Sequence, residues 1–237
     1  MKIRKNTFSN SRLFSYKKEI EGIKELFINV PFLISPNQDD AKLKNSHYLC
    51  LESFSRLIWS FNLLESIDRQ KDNYDDGNLW YLHFSEFFLQ YFSSFNDKIM
   101  YFLYYLYPNN FRAIKKPQHV SYSSMFGHSA KTEYNNDILR IKNFFDENDY
   151  SMLRHHRDLL GHEALLAGFT VFDKNGERQE FGIHSTELTF DDFDVKEIGI
   201  LFNKIFPSII SIMKIEGNAY KRWAIKKMKV GEAKLIL

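Results

Sequence analysis

Cysteine, glycine, proline and long apolar runs are all scarce in this chain of 237 residues. The single cysteine, Cys50, excludes both an intramolecular disulfide and a zinc site built from several thiolates. Glycine and proline number 10 and 5, together about half of average usage, and so few helix breakers favour an α-rich fold. The longest apolar run, Ile99–Tyr107, has nine residues, about half of what a membrane-spanning helix requires.

The first residues and the charge distribution set further limits. The N-terminal stretch lacks the apolar core of a signal peptide, so we expect a soluble, cytoplasmic protein that does not enter a membrane. The net charge of +2 conceals two basic ends, because residues 1–24 and residues 214–237 each carry seven Lys or Arg against two Glu. Basic ends of this kind either bind a polyanion or are simply solvated, and the sequence leaves both interpretations open.

Apolar residues recur at spacings of three and four over two long segments, which is typical of amphipathic helices. After a first helix over Ser11–Asn29, the pattern predicts one helix over Asp39–Lys71 and another over about Leu79–Tyr107. A polar turn that contains a glycine, residues 71–78, separates the long segments. Two long helices joined by a short turn predict an antiparallel pair about 45 Å long, at 1.5 Å per residue. Aromatic residues make up 16% of the chain and should supply much of the core.

The segment after the second long helix is a connection followed by further helical patterns. Residues 108–131 form a long connection, and connections of this length are usually functional or disordered. A helical pattern resumes at Thr132 and breaks at the polar run Asp146–Asp149. Asp149 is then predicted to cap a new helix that continues to about Ala167.

A change of period towards the end of the chain predicts one β-hairpin. Asn175-Gly176 lies between two β-prone runs, which is a strong signal for a hairpin over about 169–183. A final helix should begin near Asp191 or Asp192, with a Lys-rich end after it. The predicted fold class is therefore mainly all-α, a helical bundle with a small β-hairpin before its last helix.

The densest group of polar functional residues lies between residues 154 and 163 and contains three of the eight histidines. Its members are Arg154, His155, His156, Arg157, Asp158, His162 and Glu163. Residues three and four apart share one face of a helix, so Asp158 can accept a hydrogen bond from His155 or from His162. An imidazole held in this way keeps a defined tautomer, which suits proton transfer.

The run RDLLGH, from Arg157 to His162, resembles the R-x4-6-H signature of the HEPN superfamily (higher eukaryotes and prokaryotes nucleotide-binding domains). HEPN proteins are all-α bundles in which two long antiparallel helices precede the helix that bears the motif. The predicted order of helices over about residues 39–167 is similar. Many members have Asn after the Arg, whereas this chain has Asp158.

The resemblance implies metal-independent cleavage of RNA at a homodimer interface. In active members, two motif helices meet across a two-fold axis and pool their Arg and His side chains. Arg157 would bind the scissile phosphate, and His162 would move protons for attack by the ribose 2′-hydroxyl, leaving a 2′,3′-cyclic phosphate. The supporting residues would be Asp158, Arg154, His155 and His156.

The same resemblance implies a domain organisation, a role and partners. It suggests a single HEPN-like domain over residues 1–237, with a core at about 39–167 and an extension at 168–237. Proteins of this kind commonly act as toxins of toxin–antitoxin pairs or in antiviral defence. An antitoxin or regulatory protein is therefore an expected partner beside the RNA substrate, and neither a cofactor nor a metal is expected.

Other classes of function remain open at this point. The chain could be a non-catalytic HEPN-like module that binds RNA, a nucleotide or a protein partner, or a helical scaffold in which residues 154–163 form an ordinary solvated face. Asp158 and His162 could share a metal, although no third ligand accompanies them at a metal-binding spacing. The sequence has no phosphate-cradling glycine loop and no Gly-x-Ser-x-Gly, which argues against an NTPase and a serine hydrolase.

Overall fold

Helices dominate the part of the chain that the structure, a computed structural model, describes. Described are residues 12–28, 33–34, 37–66, 74–127, 134–154, 167–172, 178–184, 195–230 and 234–235. The helices are α1 (Lys17–Ile28), α2 (Gln38–Ser66), α3 (Tyr74–Leu106), α4 (Tyr122–Phe126), α5 (Asn136–Phe145), α6 (residues 148–154) and α7 (Val195–Lys229). The prediction of a mainly all-α protein is confirmed.

Two short antiparallel strand pairs accompany the helices. Strand β1 (Leu33–Ile34) pairs with β4 (Lys234–Leu235). Strand β2 (Ala167–Phe172) pairs with β3 (Arg178–His184), and the register shifts next to Phe172. The residues between β2 and β3, where the sequence predicts the Asn-Gly turn, lie outside the described residues.

Several predicted boundaries differ from the observed ones. Helix α3 begins at Tyr74, so the predicted polar turn over 71–78 extends too far and Gly77 is helical. The two aspartates between Tyr74 and Gly77 are favoured in the first turn of a helix because of the helix dipole. A single glycine lowers the stability of a helix by only about 1 kcal/mol. Asp149 lies inside α6 instead of capping it, and α7 continues through the Lys-rich end to Lys229.

The described part of the connection, residues 108–127, contains more regular structure than the sequence suggests. It contains a 3-10 turn at Pro117–His119 and the short helix α4, whose capping box is formed by Ser121 and Ser124. Rings of Phe111, Phe126 and Tyr134 contact one another, with centroids 5.6–6.3 Å apart. These aromatic contacts hold the described part of the connection in place.

The chain divides into two compact units, and α2, α3 and α7 each contribute residues to both. The first unit consists of residues 1–15, 56–93 and 147–206, and the second of residues 16–55, 94–146 and 207–237. The organisation suggested by the HEPN resemblance, a single domain with a core at about 39–167, stays a prediction.

Phenylalanine rings from three helices form the core of the first unit. The ring of Phe202 on α7 lies 4.5 Å from that of Phe61 on α2 and 4.8 Å from that of Phe88 on α3. Phe92 contacts Tyr150 of α6 at 5.1 Å. All five side chains are almost completely buried, which confirms that aromatic rings build much of the core.

In the second unit, α1 and α7 approach one another closely. A Cβ atom on Gly217 would lie 2.6 Å from the Leu26 side chain and 3.3 Å from that of Phe27. Near the end of α3, Tyr107 donates a 2.8 Å hydrogen bond to Asp137 of α5, and Arg222 of α7 pairs with the same carboxylate. Close helix packing and one ion-pair network therefore join four helices in this unit.

Candidate functional site

Of the predicted 154–163 cluster, the structure describes Arg154 alone. It is half-buried and is the last described residue of α6, close to Tyr150 and Leu153, which are both fully buried. Burial raises the pKa of the Tyr150 hydroxyl, and the nearby charge of Arg154 opposes that shift. The other predicted residues, His155, His156, Arg157, Asp158 and His162, lie outside the described residues, so their roles stay predictions.

Two negative findings apply to the described part of the chain. Within it, no group of three or more His, Cys, Asp or Glu side chains is arranged to hold a metal ion. None of the helices described there is long and apolar enough to cross a membrane. Asp158 and His162, the alternative metal pair, lie outside these residues, so that alternative stays untested.

A histidine and a glutamate form a buried pair in the second unit. Nδ1 of His47 on α2 lies 2.8 Å from Oε1 of Glu216 on α7, and both side chains are completely buried. The remaining polar atoms, His47 Nε2 and Glu216 Oε2, have no hydrogen-bond partner in the described part of the chain. Each side chain therefore depends on the other for its hydrogen bond.

Aromatic rings enclose the imidazole on both faces. The ring of Phe27 stacks on His47 at 4.3 Å between centroids, and that of Tyr220 stacks on the opposite face at 3.8 Å. Tyr220 follows Glu216 by four residues, so helix α7 presents the ring and the carboxyl group on the same face. Phe102 of α3 adds a tilted contact at 6.4 Å. These contacts fix the plane of the imidazole beside Glu216.

Burial sets the protonation of this pair. Desolvation lowers the pKa of His47 to about 3 and raises the pKa of Glu216 well above its ordinary value of 4.5. Burial therefore favours the neutral imidazole together with the protonated carboxyl group, and in that form Glu216 donates its O–H to Nδ1 of His47. Burial, with a smaller contribution from Glu216, also raises the pKa of the Cys50 thiol, one turn further along α2.

The pair has a structural role, because both side chains are completely buried and a substrate cannot reach them. Sequence reasoning missed it, since 169 residues separate the partners. Two local signals exist in retrospect. His47 occupies the same face of α2 as the buried residues Leu43 and Cys50, and Glu216 interrupts the apolar face of α7. The single cysteine, Cys50, is a buried free thiol.

We expect the stability conferred by this pair to be constant between about pH 4.5 and pH 6.5. In that interval the unfolded chain holds one proton on His47, whose ordinary pKa is 6.5, and the folded chain holds one on Glu216. Above it the unfolded state loses its proton first, so stability falls as pH rises. Below it the unfolded state gains a second proton that the folded state accepts only near pH 3, so stability falls as pH falls.

Urea unfolding at a series of pH values measures this profile. The difference in free energy of unfolding between the wild type and the double variant His47→Leu/Glu216→Leu cancels the contributions of other titrating groups. Above and below the interval of constant stability, this difference should change by about 1.4 kcal/mol per pH unit. A difference that does not vary from pH 3.5 to pH 8.5 would contradict the assigned protonation.

Comparison of the chain with known protein families, with curated proteins and with solved structures finds no match.

Proposed function

We propose that this chain is a metal-independent endoribonuclease of HEPN type, with Arg157 and His162 as its catalytic residues at a homodimer interface. The order of the helices supports the proposal. Helices α2 and α3 are long, and α6 follows them in the chain; its last described residue, Arg154, precedes the first residue of the R-x4-H run by three positions in the sequence. This order agrees with the one that the HEPN resemblance implies.

Ring contacts between α2 and α3 add support. In the second unit His47 of α2 contacts Phe102 of α3, and Phe54 of α2 contacts Phe95 of α3. The later residue of α2 thus meets the earlier residue of α3, as antiparallel helices require. A long antiparallel pair is the element that precedes the motif helix in HEPN bundles.

The proposed chemistry divides between the two motif residues. The planar guanidinium of Arg157 binds the scissile phosphate and stabilises the charge that develops on it. His162 removes the proton of the ribose 2′-hydroxyl or protonates the departing 5′-oxygen, and the second copy supplies the other transfer. Asp158, one turn before His162, orients the imidazole. DNA lacks the 2′-hydroxyl and is not cleaved by this route.

The proposal extends to the setting in which the enzyme works. We place it in the cytoplasm as a toxin or an antiviral defence component, held in check by an antitoxin or another regulatory protein. Arg154, His155 and His156 border the two catalytic residues in the chain and belong to the supporting set. Arg154, in α6, is the only member of that set that the structure describes.

We expect wild-type protein to cleave structured RNA in excess EDTA and His162→Ala to cleave it at least about 100-fold more slowly, because general acid–base catalysis contributes about 10²–10⁴-fold. Arg157→Ala should lose activity to a similar extent. The assay follows end-labelled RNA and identifies the 2′,3′-cyclic phosphate ends. Sedimentation should give a dimer, twice the 28.3 kDa of one chain.

His119→Ala is the matched control, because His119 is an exposed histidine remote in sequence from the motif, and it should retain wild-type activity. Cleavage that survives both motif substitutions would refute the assigned site. If dimeric, folded wild type binds RNA without cleaving it, the chain is instead the non-catalytic binding module.

A further inference from the structure

The C-terminal part of α7 carries an exposed basic face. Lys214, Lys221, Lys226 and Lys229 are all exposed there, and together with Arg222 we call them the α7 basic face. At 3.6 residues per turn these five side chains fall within about 140° of the helix circumference and along about 22 Å of its axis. The sequence indicates only that residues 214–237 are basic, and it is the helix continuing to Lys229 that aligns the charges.

No exposed carboxylate on α7 neutralises this face. Glu216 is the one acidic residue between Lys204 and Lys229, and it is completely buried against His47. From neighbouring elements, Asp137 pairs with Arg222 and Asp40 pairs with Lys227, which lies on another side of the helix. The four lysines of the face form no ion pair within the described part of the chain.

Helix α1 offers an instructive comparison in the same unit. Its lysines, Lys17, Lys18 and Lys24, are also exposed, but they alternate with Glu19, Glu21 and Glu25. Lys17 lies 3.9 Å from Glu21. The positive charge of α1 is thus largely neutralised locally, whereas that of α7 is not.

We propose that the α7 basic face binds the phosphate backbone of the RNA substrate, an inference that rests on the proposed ribonuclease function. A row of cations, four of which form no ion pair in the described part of the chain, attracts a polyanion chiefly by releasing its condensed counterions. The face suits nucleic acid better than a lipid surface, because the apolar side of α7 is already buried in the protein. The buried residues on that side include Ile212, Met213, Ile215, Ala219, Tyr220 and Ala224. With these residues buried, little of the apolar side of α7 is left for insertion into a membrane, which an interfacial helix requires.

The test measures binding without relying on cleavage. A fluorescent 2′-O-methyl RNA, which has no free 2′-hydroxyl, is titrated with wild type, with Lys221→Gln/Lys226→Gln/Lys229→Gln, and with Lys17→Gln/Lys18→Gln/Lys24→Gln. The two triple variants remove the same charge from the same unit. Anisotropy at several salt concentrations gives the slope of log K against log salt for each protein.

The α7 triple variant should bind at least about 10-fold more weakly than wild type, and its salt slope should be smaller by about 2, at about 0.7 per lost contact to a single strand. The α1 triple variant should keep the wild-type slope. Equal losses in both triple variants would overturn the inference, because net charge alone would then explain binding. Polyglutamate that binds wild type as tightly as RNA would overturn it too, in favour of an acidic protein partner.

Failure of this inference can be distinguished from failure of the proposed function. Cleavage of ordinary RNA by wild type that the α7 triple variant retains, together with unchanged binding, would refute only the basic face. Specific loss of binding in the α7 triple variant, with no cleavage by wild type, would refute only the ribonuclease.

Discussion

Replacing Glu216 by alanine should lower the free energy of unfolding by about 3–5 kcal/mol, because it removes the partner of a completely buried group and leaves a cavity. His47 Nδ1 loses the group that lies 2.8 Å away, while the imidazole stays enclosed between the rings of Phe27 and Tyr220. Equilibrium unfolding in urea, with the slope m compared between proteins, measures the change.

Two further variants separate the hydrogen bond from the volume. Glu216→Gln keeps the shape and an N–H donor for Nδ1, so it should lose far less stability than Glu216→Ala. The double variant His47→Leu/Glu216→Leu should lose less than the sum of its single changes, because apolar residues often replace a buried polar pair at little cost. Glu25→Ala on the exposed face of α1 is the control and should leave stability unchanged. A loss below about 1 kcal/mol for Glu216→Ala would mean that the pair contributes no more than an ordinary hydrogen bond.

Replacing Phe202 by alanine should also lower the free energy of unfolding by about 3–5 kcal/mol, the usual cost of deleting a buried phenylalanine ring. The Phe202 ring is completely buried and contacts Phe61, Phe88 and Phe206, with centroids 4.5, 4.8 and 5.4 Å away. These three rings lie on helices α2, α3 and α7, which can close only partly around the cavity. Thermal and urea unfolding should both register the loss.

Phe202→Leu should recover most of that stability, because it restores much of the buried volume. Trp59→Ala provides the control in the same unit, since that larger ring is 57% exposed and its removal leaves no cavity. If Trp59→Ala were as costly as Phe202→Ala, the ring cluster would not be the core of this unit.

Local patterns in the sequence predict the long helices well. The spacing of Phe54, Ile58 and Phe61 places them on one buried face of α2, as observed. The same spacing predicts that Tyr48 lies on this face, yet its side chain is 39% exposed, because the periodicity of one helix does not show where its neighbours end. Pro108 correctly marks the end of α3.

The same local reasoning could not find the buried pair. His47 and Glu216 lie 169 residues apart, and no short-range pattern relates positions at that distance. Their pKa shifts arise from burial, which exists only after the helices of the second unit have packed. The cluster at 154–163 is the opposite case. Its motif, Arg157 to His162, is six residues long and can be identified from the sequence without knowing how the helices pack.

The sequence by itself determined the helical class, the position of the long helices and the R-x4-H run, because each depends on residues within a few turns of one another. Tertiary structure alone decided which polar groups are buried and which charges stay exposed. Glu216 and Lys221 are five residues apart on α7, yet one is enclosed beside His47 and the other is exposed to solvent. The physical reason is that burial depends on neighbours from distant parts of the chain, and these neighbours set both the protonation of the buried pair and the uncompensated charge of the α7 basic face.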